Sequence, residues 1–368
     1  MDCMNVPQKY KEYKDFYKYY SGQKSAPIPT LFIGGNHEAS NHLKELYYGG
    51  YAAPNIYYLG HTGCVWFKGL RIAGMSGIYN QANYFKTREK ETLPYDNNSL
   101  RSAYHVRHYE VYKLNQLKLS TDSLPIDIFL SHDWPVSITK YGNEDRLLKY
   151  KQHFRADIEK NQLGSPPGLF LLNQLKPKYW FSGHLHCKFA AQVDHGGETC
   201  TKFLALDKCL PKRDFLQIIN IEPSVPSGVE HSNFYHDLVW LAITKLTNPK
   251  MNKQPHIYGS QLSSLRLERL EDIEVEKNKI QKLLNTYLDG KFKDLQIYPD
   301  SFVANAPVHD PEGLHLKLNL ERAGWNYLEC KNPQTTQLID MLGLEDLISF
   351  KVDSASDTKN EEEIDIDL

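Results

Sequence analysis

Three apolar runs in this 368-residue chain end on histidine, and that repeated ending constrains the fold more than any other feature. "TLFIGGNHE" closes on Asn36 and His37, "IDIFLSHDW" on His132, and "KYWFSGHLH" on His184 and His186. Each run is short, β-branched or aromatic in character and bounded by small residues, as expected of strands buried inside a layered sheet. Strands lying side by side deliver their carboxyl ends to one rim of the sheet, where open α/β sheets place ligands. The histidines are too far apart in sequence for a local zinc finger, so the site has to be assembled by the fold.

Each piece alone also has an ordinary reading. Gly34-Gly35-Asn36 suits a simple turn, and His132 suits a core or capping histidine. Gly-His-Leu-His is sharper. On an extended segment the i and i+2 side chains share a face, whereas a turn there would divide them between two neighbouring ions.

Further strands are expected at "NIYYLG", "GCVWFKGLRIAGMSG" (a hairpin turning at Lys68-Gly69), "KFLALD", "FLQIINIE" and "LVWLAITKL". Helices are expected in the first 20 residues, where Val6, Tyr10, Tyr13, Phe16, Tyr17 and Tyr20 recur at helical spacing, and in "SPPGLFLLNQLKP", with Ser165 as cap and Pro166 in the first turn. Beyond residue 250, "LEDIEVEKNKIQKLLNTYL" carries Ile273, Ile280 and Leu284 as a narrow apolar stripe, and "NPQTTQLIDMLGLEDL" is a second helical piece. The mixture is α/β (α+β). Residues 346–368 read as an acidic disordered tail.

Composition mainly excludes. A net charge of -2 supplies no global field for a polyanion, so RNA contact would need local basic patches. Six scattered cysteines suggest free thiols in a reducing compartment. No apolar run approaches the roughly 20 residues of a membrane span, and no signal peptide is visible, so no membrane partner is expected.

The order Gly-Asn-His-Glu, strand-end histidine, Gly-His-x-His resembles the last three signatures of the calcineurin-like metallophosphoesterases. Longer stretches, among them "FIGGNHEASNHL", "RSAYHVRHYEVYKL", "YWFSGHLHCKFAA" and "TKFLALDKCLPKRDFLQI", resemble the RNA lariat debranching enzymes from about residue 5 to 222, with weaker echoes beyond. The resemblance implies a four-layer fold of two β-sheets flanked by helices, with a metallophosphoesterase domain over 1–250 and a mostly helical C-terminal domain over 251–345. It implies hydrolysis of the 2′-5′ phosphodiester at the branch point of excised intron lariats, in the nucleus with a share in the cytoplasm. The partners would be branched intron RNA and splicing factors, and the cofactors divalent ions, Mn, Fe or Zn.

By motif position, Asn36, His132 and His184 would hold one ion and His186 would belong to the other. His37 would protonate the leaving 2′ oxygen, with Glu38 orienting it. Residues 80–113 fall where the family carries a lariat-recognition insertion. Arg101, Tyr104, His105 and Arg107 there, with Lys86, Arg88 and Tyr84 nearby, suit phosphate contact and base stacking.

Two signatures of the resemblance do not occur. No histidine precedes His37, so there is no upstream Cys-x-His, and Gly-Asp is found nowhere in the sequence. The expectation is that an N-terminal β-α-β unit of about 40–50 residues is missing. Such a chain would be impaired or inactive as a hydrolase. The alternative is a short isoform that binds branched RNA or a splicing partner without cutting.

Overall fold

The computed structural model describes residues 3–12, 14–89, 91, 93, 95–119, 124–223, 233–286, 295–306 and 331–349. Its strands are β1 Thr30–Phe32, β2 Gly50–Ala53, β3 Ile56–Tyr58, β4 Thr62–Phe67, β5 Leu70–Met75, β6 Ile128–Ser131, β7 Tyr179–Ser182, β8 Phe189–Asp194, β9 Cys200–Ala205, β10 Phe234–His236 and β11 Gln296–Ile297. They form a small sheet, β1-β3-β2, and a large one, β11-β10-β4-β5-β6-β7-β9-β8. Within the large sheet β5, β6, β7 and β9 run parallel.

The period of two along each strand decides what packs where. Leu31, Tyr51 and Tyr57 of the small sheet meet Val65, Ile72, Ile128, Leu130, Tyr179 and Phe181 of the large sheet in one apolar layer. Alternate residues of the same strands, Cys64, Ala73, Phe129, Trp180 and Phe203, face the opposite way. They meet helices α2 (His108–Asn115), α3 (Pro166–Leu175) and α4 (Leu238–Thr247). Phe129 and Trp180 are fully buried and stacked 4.1 Å apart. Each stabilises the fold by roughly 2–3 kcal/mol through area removed from water. The outer face of the small sheet is covered by a short helix, α1 (Ser40–Glu45), through Leu43 against Phe32 and Tyr58. The order helix, sheet, sheet, helices is the expected four-layer α/β arrangement.

Several sequence expectations hold at the residue. The β4–β5 hairpin turns at Lys68 (φ 50°) and Gly69 (φ 76°), the pair of left-handed residues a two-residue turn needs. Ser165 caps α3 by accepting from Gly168 N.

Others fail for identifiable reasons. "LVWLAITKL" is helix α4, not a strand: Asp237 caps it by accepting from Trp240 N at 2.8 Å, and its ten residues are buried on nearly every side. An unbroken apolar run carries no periodicity to separate the two states. "FLQIINIE" has no regular structure, and Leu216 and Ile218 are 71% and 87% exposed. Among the described residues no strand lies beside it to form a ladder. The N-terminal stripe splits into a turn at Gln8–Tyr10 and a helix at Phe16–Tyr20, interrupted where Lys14 takes φ 39°.

The C-terminal region packs back onto the sheets. Helix α5 (Leu270–Thr286) buries Ile273, Ile280 and Leu284 in the main core beside α4, and α6 (Pro333–Leu342) adds Leu338 and Leu342. Gln334 of α6 bridges the edge strand β2, accepting from Tyr51 N at 2.8 Å and donating to Tyr51 O at 3.0 Å. Residues 350–368 of the expected acidic tail lie outside the described residues.

Candidate metal centre

The parallel strands β6 and β7 carry His132 and His184 past their carboxyl ends, as expected. Their rings stand 5.0 Å apart between centroids. Asn36 and His37 arrive differently. They follow β1, which belongs to the small sheet, so the site straddles the mouth between two sheets.

Two hydrogen bonds tie the β1 exit to the β5 exit: Gly34 N donates to Ser76 Oγ at 3.0 Å, and Gly77 N to Gly34 O at 2.8 Å. Neither Gly34 nor Gly35 has a left-handed φ, so they are not there for the turn. They are there for proximity. A Cβ on Gly35 would lie 2.8–3.0 Å from three atoms of the His132 ring. That contact brings His132 Nε2 to 3.0 Å from Asn36 Oδ1.

His37 is exposed at the mouth, with Nδ1 3.1 Å from the carbonyl of Asn5 and Nε2 3.5 Å from Asn36 Nδ2. A carbonyl only accepts, so Nδ1 carries the proton and Nε2 is the lone-pair nitrogen, facing the Asn36 amide N–H. Asn5 in turn donates from Nδ2 to the Tyr104 hydroxyl at 2.7 Å. No sequence signal pointed to Asn5, because its contact with His37 is made by the backbone. Glu38 Oε1 accepts from Gly35 N at 3.2 Å, and burial raises its carboxyl pKa. It braces the loop beside His37 through the Gly35 backbone.

The Gly-His-Leu-His segment is a turn. His184 and His186 both take left-handed φ, 61° and 53°. The turn separates the two rings: His184 packs against His132, whereas the His186 ring also feels the charges of Lys208, Lys151 and Asp207. Burial, then the neighbouring His184, His37 and His186, hold the His132 imidazole down to about 3, and burial first also lowers His184 and His186. Imidazole held neutral is the form that binds metal.

Two residues expected to contact RNA are internal. Arg107 is buried, paired with Glu91 at 3.0 Å and donating to Ser102 O, Ser102 Oγ and His105 O. His105 is buried with Nδ1 2.9 Å from Asn83 Nδ2. Arg88 and Tyr84 are buried as well. Arg101 is exposed and Tyr104 half-buried, and the Tyr104 hydroxyl is linked to His37 through Asn5.

Residues 1–188 match the calcineurin-like phosphoesterase family model, and residues 198–347 match the lariat debranching enzyme C-terminal domain. The lariat debranching enzyme of Arabidopsis thaliana is 47% identical over 346 residues, covering 94% of this chain and 75% of that protein. That of Homo sapiens is 47% identical over 353 residues, covering 94% of this chain and 60% of the human one. This chain belongs to the lariat debranching enzyme family. Membership places it among hydrolases of phosphodiester bonds, in a superfamily that uses divalent metal ions.

The donors present fit such an ion in kind. Asn36 Oδ1, His132 Nε2 and the His184 ring are an amide oxygen and two neutral imidazoles, a set suited to borderline divalent cations. All three donors are uncharged, so this set by itself gives an ion no compensating charge.

Proposed function

We propose that the chain acts in debranching, as a metal-dependent hydrolase of the 2′-5′ phosphodiester at the branch of an excised intron lariat. The observation that carries the reading is the approach of His132 to Asn36 across two sheets, with His37 at the mouth beside them. Asn36, His132 and His184 would hold one divalent ion, Mn, Fe or Zn, and His186 would serve a second position. The ion supplies charge stabilisation at the phosphate and an acidified water.

The chain's own residues supply the rest. His37, with Nδ1 fixed on the Asn5 carbonyl, keeps Nε2 as the nitrogen able to take up a proton; once protonated, it would donate to the leaving 2′ oxygen. Glu38 holds the loop through Gly35 N. Tyr104, linked to His37 through Asn5, and the exposed Arg101 would engage an unpaired base and a phosphate of the branch. Branched intron RNA is the proposed substrate, splicing factors are proposed partners, and the nucleus is the proposed place of action.

The test is turnover of a branched RNA oligonucleotide with Mn, Fe or Zn supplied in turn, comparing the chain with His37→Ala. Metal-dependent cleavage abolished by His37→Ala supports the reading, and absence of cleavage with every metal overturns it for this chain. The charge-poor donor set favours a second reading, retention of branched RNA without cleavage. Tight binding of the branched oligonucleotide over its linear counterpart, with no turnover, is the result that selects it.

A further inference from the structure

The rim that carries the candidate centre has a fourth strand end, and the proposed chemistry leaves it unused. β5, β6, β7 and β9 are parallel neighbours in that order, so their carboxyl ends stand in a row. β5 leads through Gly77 into the 80–113 segment, β6 leads to His132, and β7 leads to His184 and His186. β9 leads to Asp207 and Lys208, and Leu206 N donates to Ser182 O at 3.2 Å, which holds this exit against the turn bearing both histidines. Three strand steps of about 4.8 Å put the β9 exit roughly 14 Å along the rim from the β5 exit. The 80–113 segment and Lys208 therefore flank the centre from opposite ends.

The β9 exit is a cationic loop. Asp207 N donates to Asp214 O at 3.0 Å, closing a stretch that holds Lys208, Lys212 and Arg213 against two acids. The Asp207 carboxylate is already engaged, by Arg213 at 3.3 Å and by Lys208 N at 2.7 Å. The exposed Lys208 side chain has no ion-pair partner among the described residues. Lys151, which follows the helix Glu144–Tyr150, has none either, and its Nζ lies 5.7 Å over the Phe154 ring. The chain ahead of that helix is tied to the same end of the sheet by the bridge between Gly142 and Ala191 of β8. Both charges reach His186, whose imidazole is held down by burial first, then by Lys208 and Lys151. Two cations without carboxylates of their own, on the rim of a site for a phosphodiester, suit the phosphates of a polyanion.

We propose that Lys208 and Lys151 form a second grip on RNA, each neutralising a backbone phosphate of one arm of the branch at the β9 end of the rim. The substrate class rests on the debranching reading. The grip lies across the centre from Arg101 and Tyr104, so the branch is held from two sides with its scissile phosphate between them.

The test is binding of a labelled branched RNA oligonucleotide to the full chain across a salt series, with no metal added so that cleavage plays no part. Lys151→Gln/Lys208→Gln should bind about 10-fold more weakly at low salt, and the slope of log K against log salt should fall by about 1.4, the value for two phosphates of a single strand. Lys176→Gln/Lys202→Gln removes the same charge near the amino ends of β7 and β9 and should bind as the unmodified chain does. None of these lysines belongs to the core, so Tm should be unchanged in both variants. Unchanged affinity and slope in the first variant, or equal losses in both, overturn the grip and leave the debranching reading standing. Equal binding of branched and linear RNA that still depends on Lys151 and Lys208 supports the grip and counts against that reading. Absence of RNA binding by the unmodified chain overturns both.

Discussion

Nε2 of His132 lies 3.0 Å from Oδ1 of Asn36, although the two residues leave strands of different sheets. The approach depends on Gly35, whose missing side chain is the space the imidazole fills. The geometry of the centre is therefore set by the distance between two layers and is exposed to any change in their packing.

Gly35→Ala tests that dependence directly. Its backbone is compatible with alanine, so the effect is the clash of the new Cβ with His132 at 2.8 Å. Divalent-metal affinity, measured by calorimetry, should fall about 10- to 100-fold, the range seen when the support of a ligand is disturbed. An affinity equal to that of the unmodified chain would mean that His132 is not a ligand.

The two arginines of the 80–113 segment should separate cleanly. Arg107→Ala removes one of the two arginines that pair with buried Glu91, together with its bonds to Ser102 and His105, and should destabilise the fold by about 1–3 kcal/mol in urea unfolding. Arg101→Ala, at an exposed position, should change stability by less than about 0.5 kcal/mol while weakening branched-RNA binding. Equal stability losses in the two variants would contradict the placement of both side chains.

Glu45 gives the protein a pH dependence of unusual sign. Burial pushes its carboxyl up to about 7, against a hydrogen bond from Asn305 Nδ2 at 2.9 Å that opposes the shift. The folded chain therefore holds a proton that the unfolded chain has released above about pH 4.5. Stability contributed by this group is present at low pH and is lost as pH rises from about 4.5 towards 7. Glu45→Gln should remove this component and raise stability at pH 7.5 by about 1–2 kcal/mol, after allowance for the group's partial exposure. Parallel stability–pH curves for the two chains would rule the assignment out.

Asp237 caps α4 and also accepts from Arg71 Nε and Nη2 at 2.7 and 3.2 Å. Because one carboxylate joins the helix start to β5, Asp237→Ala should cost about 3–5 kcal/mol. Its loss should loosen α4 and the α5 packed on it, seen as faster amide exchange in both helices. Exchange enhanced only within residues 237–240 would show that the link is local.

Much of the fold was legible in the sequence because it rests on local chemistry. Lys68-Gly69, Ser165-Pro166 and the Ile273–Ile280–Leu284 stripe each carry their structure in a few adjacent residues. The histidine-bearing strand ends were legible for the same reason. What was not legible depends on partners distant in sequence. Nothing in "TLFIGGNHE" says that β1 joins a different sheet from β6 and β7. Nothing in "RSAYHVRHYE" separates Arg101, which faces solvent, from Arg107, which faces Glu91. "LVWLAITKL" misled because burial on all sides erases the very pattern that tells helix from strand.

The amide of Gln334 bonds to both the N–H and the carbonyl of Tyr51, as a neighbouring peptide group would. A side chain from α6 thus stands where another strand could add to the open border of the small sheet. Such borders are the points at which sheet proteins recruit one another into aggregates. Helix α6 therefore acts as a stopper, and its docking bears on whether separate molecules stay apart as well as on how one molecule holds together.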